Sequence, residues 1–157
     1  MGNLRLPGVL AALGYLGVVA GTVAWIVAFR STNEILVDQI AMTVGYGLAG
    51  FACWRWMVGC RNANVDRRLA RTPSRWMAAA SVVTAASFAA ITYMYYQNHQ
   101  YFQQQNGPGF VDPHYRLRMA GGGAIVLGLL LAGIGFWIAS SGIRTPTGTA
   151  REPIPVP

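Results

Sequence analysis

The sequence predicts an all-α integral membrane protein: four transmembrane helices in an antiparallel bundle, with both termini in the cytoplasm. Three observations carry that expectation. The 157 residues are 54% hydrophobic and only 11% charged, less than half the charge of an ordinary soluble domain. Four apolar stretches have the length a bilayer crossing requires. The basic residues, all of them Arg, sit between those stretches and not on a polar surface of the kind nucleic-acid binding would need.

Crossing about 30 Å of hydrocarbon takes roughly 20 apolar residues at 1.5 Å each, which selects residues 8–29, 40–60, 76–96 and 119–143. The first span follows Arg5, and Val18-Val19-Ala20 resembles a signal-peptide cleavage site. Its apolar run continues unbroken through Trp25 to Phe29, so an uncleaved anchor is expected. The second span carries only Arg55, near enough to its end to snorkel to the interface. The third and fourth contain no Asp, Glu, Lys, Arg or His.

Orientation follows from the arginines. Arg5, Arg61, Arg67, Arg68, Arg71, Arg75, Arg144 and Arg151 fall on one side, against Arg30, Arg116 and Arg118 on the other. Eight against three retains the first side in the cytoplasm. Rings that prefer the headgroup level agree, with Trp54, Trp56, Trp76 and Trp137 toward the inner face and Trp25, Tyr93, Tyr95 and Tyr96 toward the outer. The expected location is the cell inner (plasma) membrane.

Within lipid, close helix contact relies on small residues. The expected seams are Gly17, Gly21, Ala24 and Ala28 on the first span, and Gly45, Ala49 and Cys53 on the second. On the third they are Ser81, Ala85 and Ala89, and on the fourth Ala124, Gly128 and Ala132. Such seams suit a compact bundle, packing on a foreign helix, or both. Cys53 and Cys60 are two helical turns apart, too far along the axis for a disulfide between them, and read as buried small hydrophobes.

Two connections and a tail remain. Residues 97–118 form the longest, outer connection. Its first half is expected to prolong the third helix until Asn106-Gly107-Pro108-Gly109 stops it. Tyr101, Phe102, Phe110 and Tyr115 among its amides are candidate partner contacts, the alternative being an aromatic belt on the headgroups. His99 and His114 with Asp112 are too few for a metal site and read as exposed polar groups. The inner connection, 61–75, offers Arg61, Arg67, Arg68, Arg71 and Arg75 to anionic lipid. The cytoplasmic tail 144–157, with Pro153 and Pro155 as further partner-contact candidates, is too rich in Pro and small residues to bury a core.

The spans lack an embedded carboxylate, a Cys-x-x-Cys pair and facing histidines. No catalytic residue, metal or cofactor is therefore expected, apart from bound phospholipid. The Arg-only, Ala- and Gly-rich spans with a Pro-rich cytoplasmic end resemble the small four-span proteins of actinobacteria, some of which are accessory subunits of the cytochrome bc and cytochrome aa3 respiratory supercomplex. That resemblance is one of overall style over residues 8–157. It implies a non-catalytic accessory or structural subunit of a larger membrane complex, with a small homo-oligomeric transporter or channel as the alternative.

Orientation is testable by thiol labelling of intact cells in a Cys53→Ser, Cys60→Ser background. A cysteine at Gly107 should react with an impermeant reagent and one at Ala63 should be protected; the reverse pattern overturns the orientation.

Overall fold

A computed structural model describes residues 5–29, 33–62, 67–107, 109–110, 112 and 114–141. Among these, all regular structure is helical: α1 (Arg5–Ala28), α2 (Asn33–Asn62), α3 (Arg67–Asn106) and α4 (Tyr115–Ser141). Among the described residues, three helices are long and apolar enough to cross a membrane, namely α1, residues Arg71–Asn106 of α3, and α4.

Apolar side chains stand on the outside as well as in the core. Val18, Ile125 and Leu129 are fully buried together with Ser74, Ser81 and Ser140, while Leu16, Leu48, Phe51, Val83 and Leu127 stand mostly exposed. Water would penalise so much contiguous apolar surface, whereas lipid accepts it.

The tightest contact joins α1 to α4, which run antiparallel. A Cβ built on Gly14 would lie 2.5 Å from the Ala132 nitrogen and 2.5 Å from the Gly128 oxygen. One on Gly21 would lie 2.5 Å from the Gly121 oxygen, and one on Gly135 would lie 2.7 Å from the Pro7 oxygen. Backbone therefore meets backbone, a separation only glycine permits. Gly17, Ala124, Gly128 and Ala132 from the expected seams belong to this contact, with Gly17 facing Gly128 and Ala124. Ala24 is only half-buried.

Helix α3 packs against α4 through Ser74, Ala78, Ser81, Ala85, Phe88 and Thr92, alternating steps of four and three residues as in a coiled-coil seam. Ala85 lies in it, whereas Ala89 is exposed because it sits one residue beyond an inward position. Ser74 Oγ donates to the Phe136 carbonyl oxygen at 2.6 Å, fixing the two helices at that end.

Helix α2 packs more sparsely, and its inward stripe differs from the one expected. Thr43, Tyr46, Gly50, Cys53, Met57 and Cys60 face the bundle, with Thr22 and Thr43 hydroxyls 2.8 Å apart and Tyr46 and Ser81 hydroxyls 2.6 Å apart. Both cysteines are free and buried. Gly45 and Ala49 point outward, and a Cβ on Gly45 meets nothing within 4 Å. Cys53 is three residues from Gly50 but eight from Gly45, so its own phase agrees with the former stripe.

The inner connection is more helical than the sequence suggests, since α2 continues to Asn62 and α3 begins at Arg67. Pro73 lies inside α3 and cannot donate to the Leu69 carbonyl four residues back. Trp56 Nε1 donates to that oxygen instead, at 3.3 Å, so α2 repairs the gap and the helix continues through the proline. At 40 residues, α3 is about 60 Å long at 1.5 Å per residue, twice the hydrocarbon thickness. It ends at Asn106, and Gly107 turns the chain with φ of +86°, a conformation that favours glycine.

Gly14→Leu or Gly128→Leu should reduce thermal stability in detergent by about 1–3 kcal/mol or more, the usual cost of overpacking. Gly45→Leu should stay within about 0.5 kcal/mol, as an unpacked surface position. Equal losses at Gly14 and Gly45 would contradict the packing described.

Candidate functional site

The seam between α3 and α4 does not close at the end where α3 finishes and α4 begins. Continuing the four-and-three spacing from Phe88 and Thr92 leads to Tyr95 and then His99. Opposite them α4 begins with Tyr115 and Arg118. A cavity of about 370 Å³ opens there, lined by Tyr95, Asn98, His99 and Phe102 from α3, Phe110 and Asp112 from the connection, and Tyr115 and Arg118 from α4.

Local sequence explains how these groups are placed. Asp112 Oδ1 accepts the His114 backbone N–H at 2.9 Å, the short-range bond by which Asp commonly starts a helix. Its other oxygen, Oδ2, forms an ion pair with Arg118 Nη1 at 2.9 Å, each side chain being about one-quarter exposed. Arg118 Nη2 donates to the Ala28 carbonyl oxygen at 3.5 Å, and the guanidinium lies 4.4 Å from the centre of the Phe29 ring. The Arg118 carbonyl oxygen accepts from Trp25 Nε1 at 2.8 Å. Arg118 is thus held by the end of α1 on three sides.

Beneath the cavity, the Trp25 ring lies 5.5 Å from Phe88 and 6.0 Å from Tyr95, centre to centre. On the cavity wall His99 stacks on Tyr115 with centroids 3.7 Å apart and planes inclined by 14°. Phe110 lies 6.0 Å from Phe102. His99 Nδ1 and Arg118 Nε are both buried and lack a hydrogen-bond partner. Buried polar atoms ordinarily have partners; these two nitrogens belong to residues that line one cavity, and Gln39 Oε1 and Arg71 Nε share their state elsewhere.

His99 therefore departs from the exposed polar group expected of it: the length of α3 carries it onto the face that meets α4. His114 is exposed, and among the described residues no three His, Cys, Asp or Glu side chains come together as metal ligands. Of the four rings expected to contact a partner, Phe102, Phe110 and Tyr115 line the cavity. Tyr101 is exposed outside it, its hydroxyl accepting from Gln105 Nε2 at 2.6 Å.

Comparison of the chain with protein-family models, curated proteins and solved structures gives no match. The chemistry of the cavity must therefore be read from its own geometry. It combines four aromatic rings, one compensated ion pair and two unsatisfied nitrogens, a composition suited to binding an amphipathic molecule.

The other expected contacts lie elsewhere. Arg75 is exposed, its guanidinium 6.0 Å from the centre of the Trp137 ring, and Arg71 is half-buried. The side chains of Arg61, Arg67 and Arg68, and the whole of Pro153 and Pro155, lie outside the described residues. A continued seam on α3 is the sequence signal that places His99. Nothing in the sequence signals the Asp112–Arg118 pairing except a spacing of six across a turn.

Arg118→Ala should lower thermal stability in detergent more than Asp112→Asn. A partly exposed ion pair is worth about 0–1 kcal/mol, whereas Arg118 also serves Ala28 and covers Phe29. Equal losses would reduce the role of Arg118 to its charge.

Proposed function

We propose that this chain is a four-span inner-membrane protein that acts as a non-catalytic accessory subunit, packing against a larger membrane complex through the outward face of α2. One observation carries this reading. Ala41, Gly45, Ala49, Ala52 and Gly59 are exposed on α2, and a Cβ on Gly45 or Gly59 would meet nothing within 4 Å. Small residues at helical spacing permit close helix approach in lipid, and on this face no other helix among the described residues approaches Gly45 or Gly59.

Treating α2 as the fourth span rests on its bonds to the apolar helices. Thr43 and Tyr46 bond to Thr22 of α1 and Ser81 of α3 within the bundle. Leu48 and Phe51 are each 65% exposed, as a lipid-facing side requires. Four crossings return the C-terminus to the side of the N-terminus, and the Arg distribution assigns that side to the cytoplasm. The resemblance to accessory subunits makes a respiratory oxidase supercomplex the first complex to test.

Gly45→Leu in the native host supplies that test. The variant protein should insert and accumulate normally, while native gels in mild detergent show loss of a large co-migrating complex whose turnover survives. An unchanged large complex would overturn the assignment of α2 as its contact. Migration of the wild-type chain as a lone homo-oligomer, with a transport activity lost in the variant, would replace the accessory role with the transporter reading.

A further inference from the structure

We propose that the cavity at the outer end of the α3–α4 seam binds a zwitterionic phospholipid headgroup, an ammonium and a phosphate joined by a short linker. The proposal rests on the membrane reading above, which places the end of α3 beyond the hydrocarbon and the cavity at headgroup level.

Charge selects this class of guest. Arg118 and Asp112 present opposite signs 2.9 Å apart beside the cavity. A guest with one charge gains from one member of the pair and is repelled by the other at nearly the same distance. A guest carrying both signs close together can pair with both, its phosphate toward Arg118 and its ammonium toward Asp112.

The walls favour the same orientation. Tyr95, Phe102, Phe110 and Tyr115 supply ring faces that attract a cation. The Arg118 side chain is one-quarter exposed and its guanidinium can only donate, and phosphate oxygens are strong charge-assisted acceptors.

Size and position complete the case. About 370 Å³ falls near the lower end of ligand sites, which run from about 300 to 1,000 Å³. That accommodates a headgroup and leaves the acyl chains outside. Asn98 on the cavity wall continues down α3 at helical spacing to Met94 and Ile91, both exposed, so an apolar track for the chains begins at the cavity mouth.

Native mass spectrometry of the full-length protein in detergent tests this with three probes: dihexanoyl phosphatidylethanolamine, dihexanoyl phosphatidylglycerol and free phosphoethanolamine. The wild type should retain the zwitterionic lipid at least tenfold better than the anionic one. Asp112→Asn removes the partner of the ammonium and leaves Arg118 uncompensated, so the preference should swing toward phosphatidylglycerol; misfolding would lower retention of both lipids without reversing their order. Phe102→Leu should weaken phosphatidylethanolamine retention more than phosphatidylglycerol retention. Equal retention of the two lipids by the wild type, or a selectivity unaltered in Asp112→Asn, would overturn the proposal. Displacement of bound lipid by an equal concentration of phosphoethanolamine would also overturn it, assigning the cavity to a soluble molecule. Alkaline carbonate extraction tests the membrane reading separately: a chain released from membranes refutes that reading whatever the lipid result.

Discussion

The close approach of α1 and α4 is the constraint on which the rest of the structure depends. Lipid chains are as apolar as leucine, so burying side chains between helices gains little there, and contact must come from dispersion, hydrogen bonding and fit. Gly14 meets Gly128, Gly21 meets Gly121, and Gly135 meets Pro7 and Ala11, the glycines being spaced by seven on each helix, at distances where a Cβ would strike backbone. That spacing keeps one face of each helix toward the other. It also brings the end of α1 to the beginning of α4, where Trp25, Ala28 and Phe29 take hold of Arg118. The cavity inherits its geometry from this contact: a change in helix separation would move Arg118 away from the carbonyl and ring that position it.

Polar groups then do within the bundle what apolar bulk does in a soluble core. Ser74, Ser81 and Thr92 donate to backbone carbonyls of α4 or of α3 itself, which satisfies them without a charge at depth. Tyr46 reaches the Ser81 hydroxyl from α2. Trp56 accounts for the carbonyl that Pro73 leaves unpaired, an example of a neighbouring helix allowing a proline inside an element where water would otherwise be needed. Each of these side chains is small or has a single polar handle, so closing the helices strands few unsatisfied groups. Among the described residues Gln39 Oε1, Arg71 Nε, His99 Nδ1 and Arg118 Nε remain without a partner, the last two on residues that line the cavity.

Length and charge made the helices legible in the sequence, because apolar runs and arginine positions are one-dimensional signals. Phase was less legible. In α2 nearly every side chain is apolar or small, so no amphipathic stripe separates the two faces, and small residues occur on both. The stripe through Gly45 and Ala49 and the stripe through Gly50 and Cys53 are equally smooth, and only the positions of Thr22 and Ser81 on neighbouring helices select the second. Ala89 misleads for the same reason, as Phe88 beside it is the inward residue. The site stayed hidden because His99 looks solvent-facing when the third helix is taken to end with the membrane. It becomes a wall residue once the seam of α3 is followed one heptad past Thr92.

Helix α2 ends with two faces of different meaning. One carries the hydroxyl, thiol and thioether groups that meet the bundle. The other carries Gly45 and Gly59, where an added Cβ would meet nothing within 4 Å among the described residues. Glycine inside a helix costs about 0.5–1 kcal/mol relative to alanine, a penalty the α1–α4 glycines recover through backbone contact. Gly45 and Gly59 recover none of it inside the monomer, and bare lipid would be covered as well by alanine or leucine, as Leu48 and Phe51 beside them illustrate. Under the proposed accessory role, another backbone close enough to use the missing Cβ would regain that stability. The proposal of a contact through this face of α2 therefore rests on glycines that the α1–α4 type of backbone approach would explain and bare lipid would not.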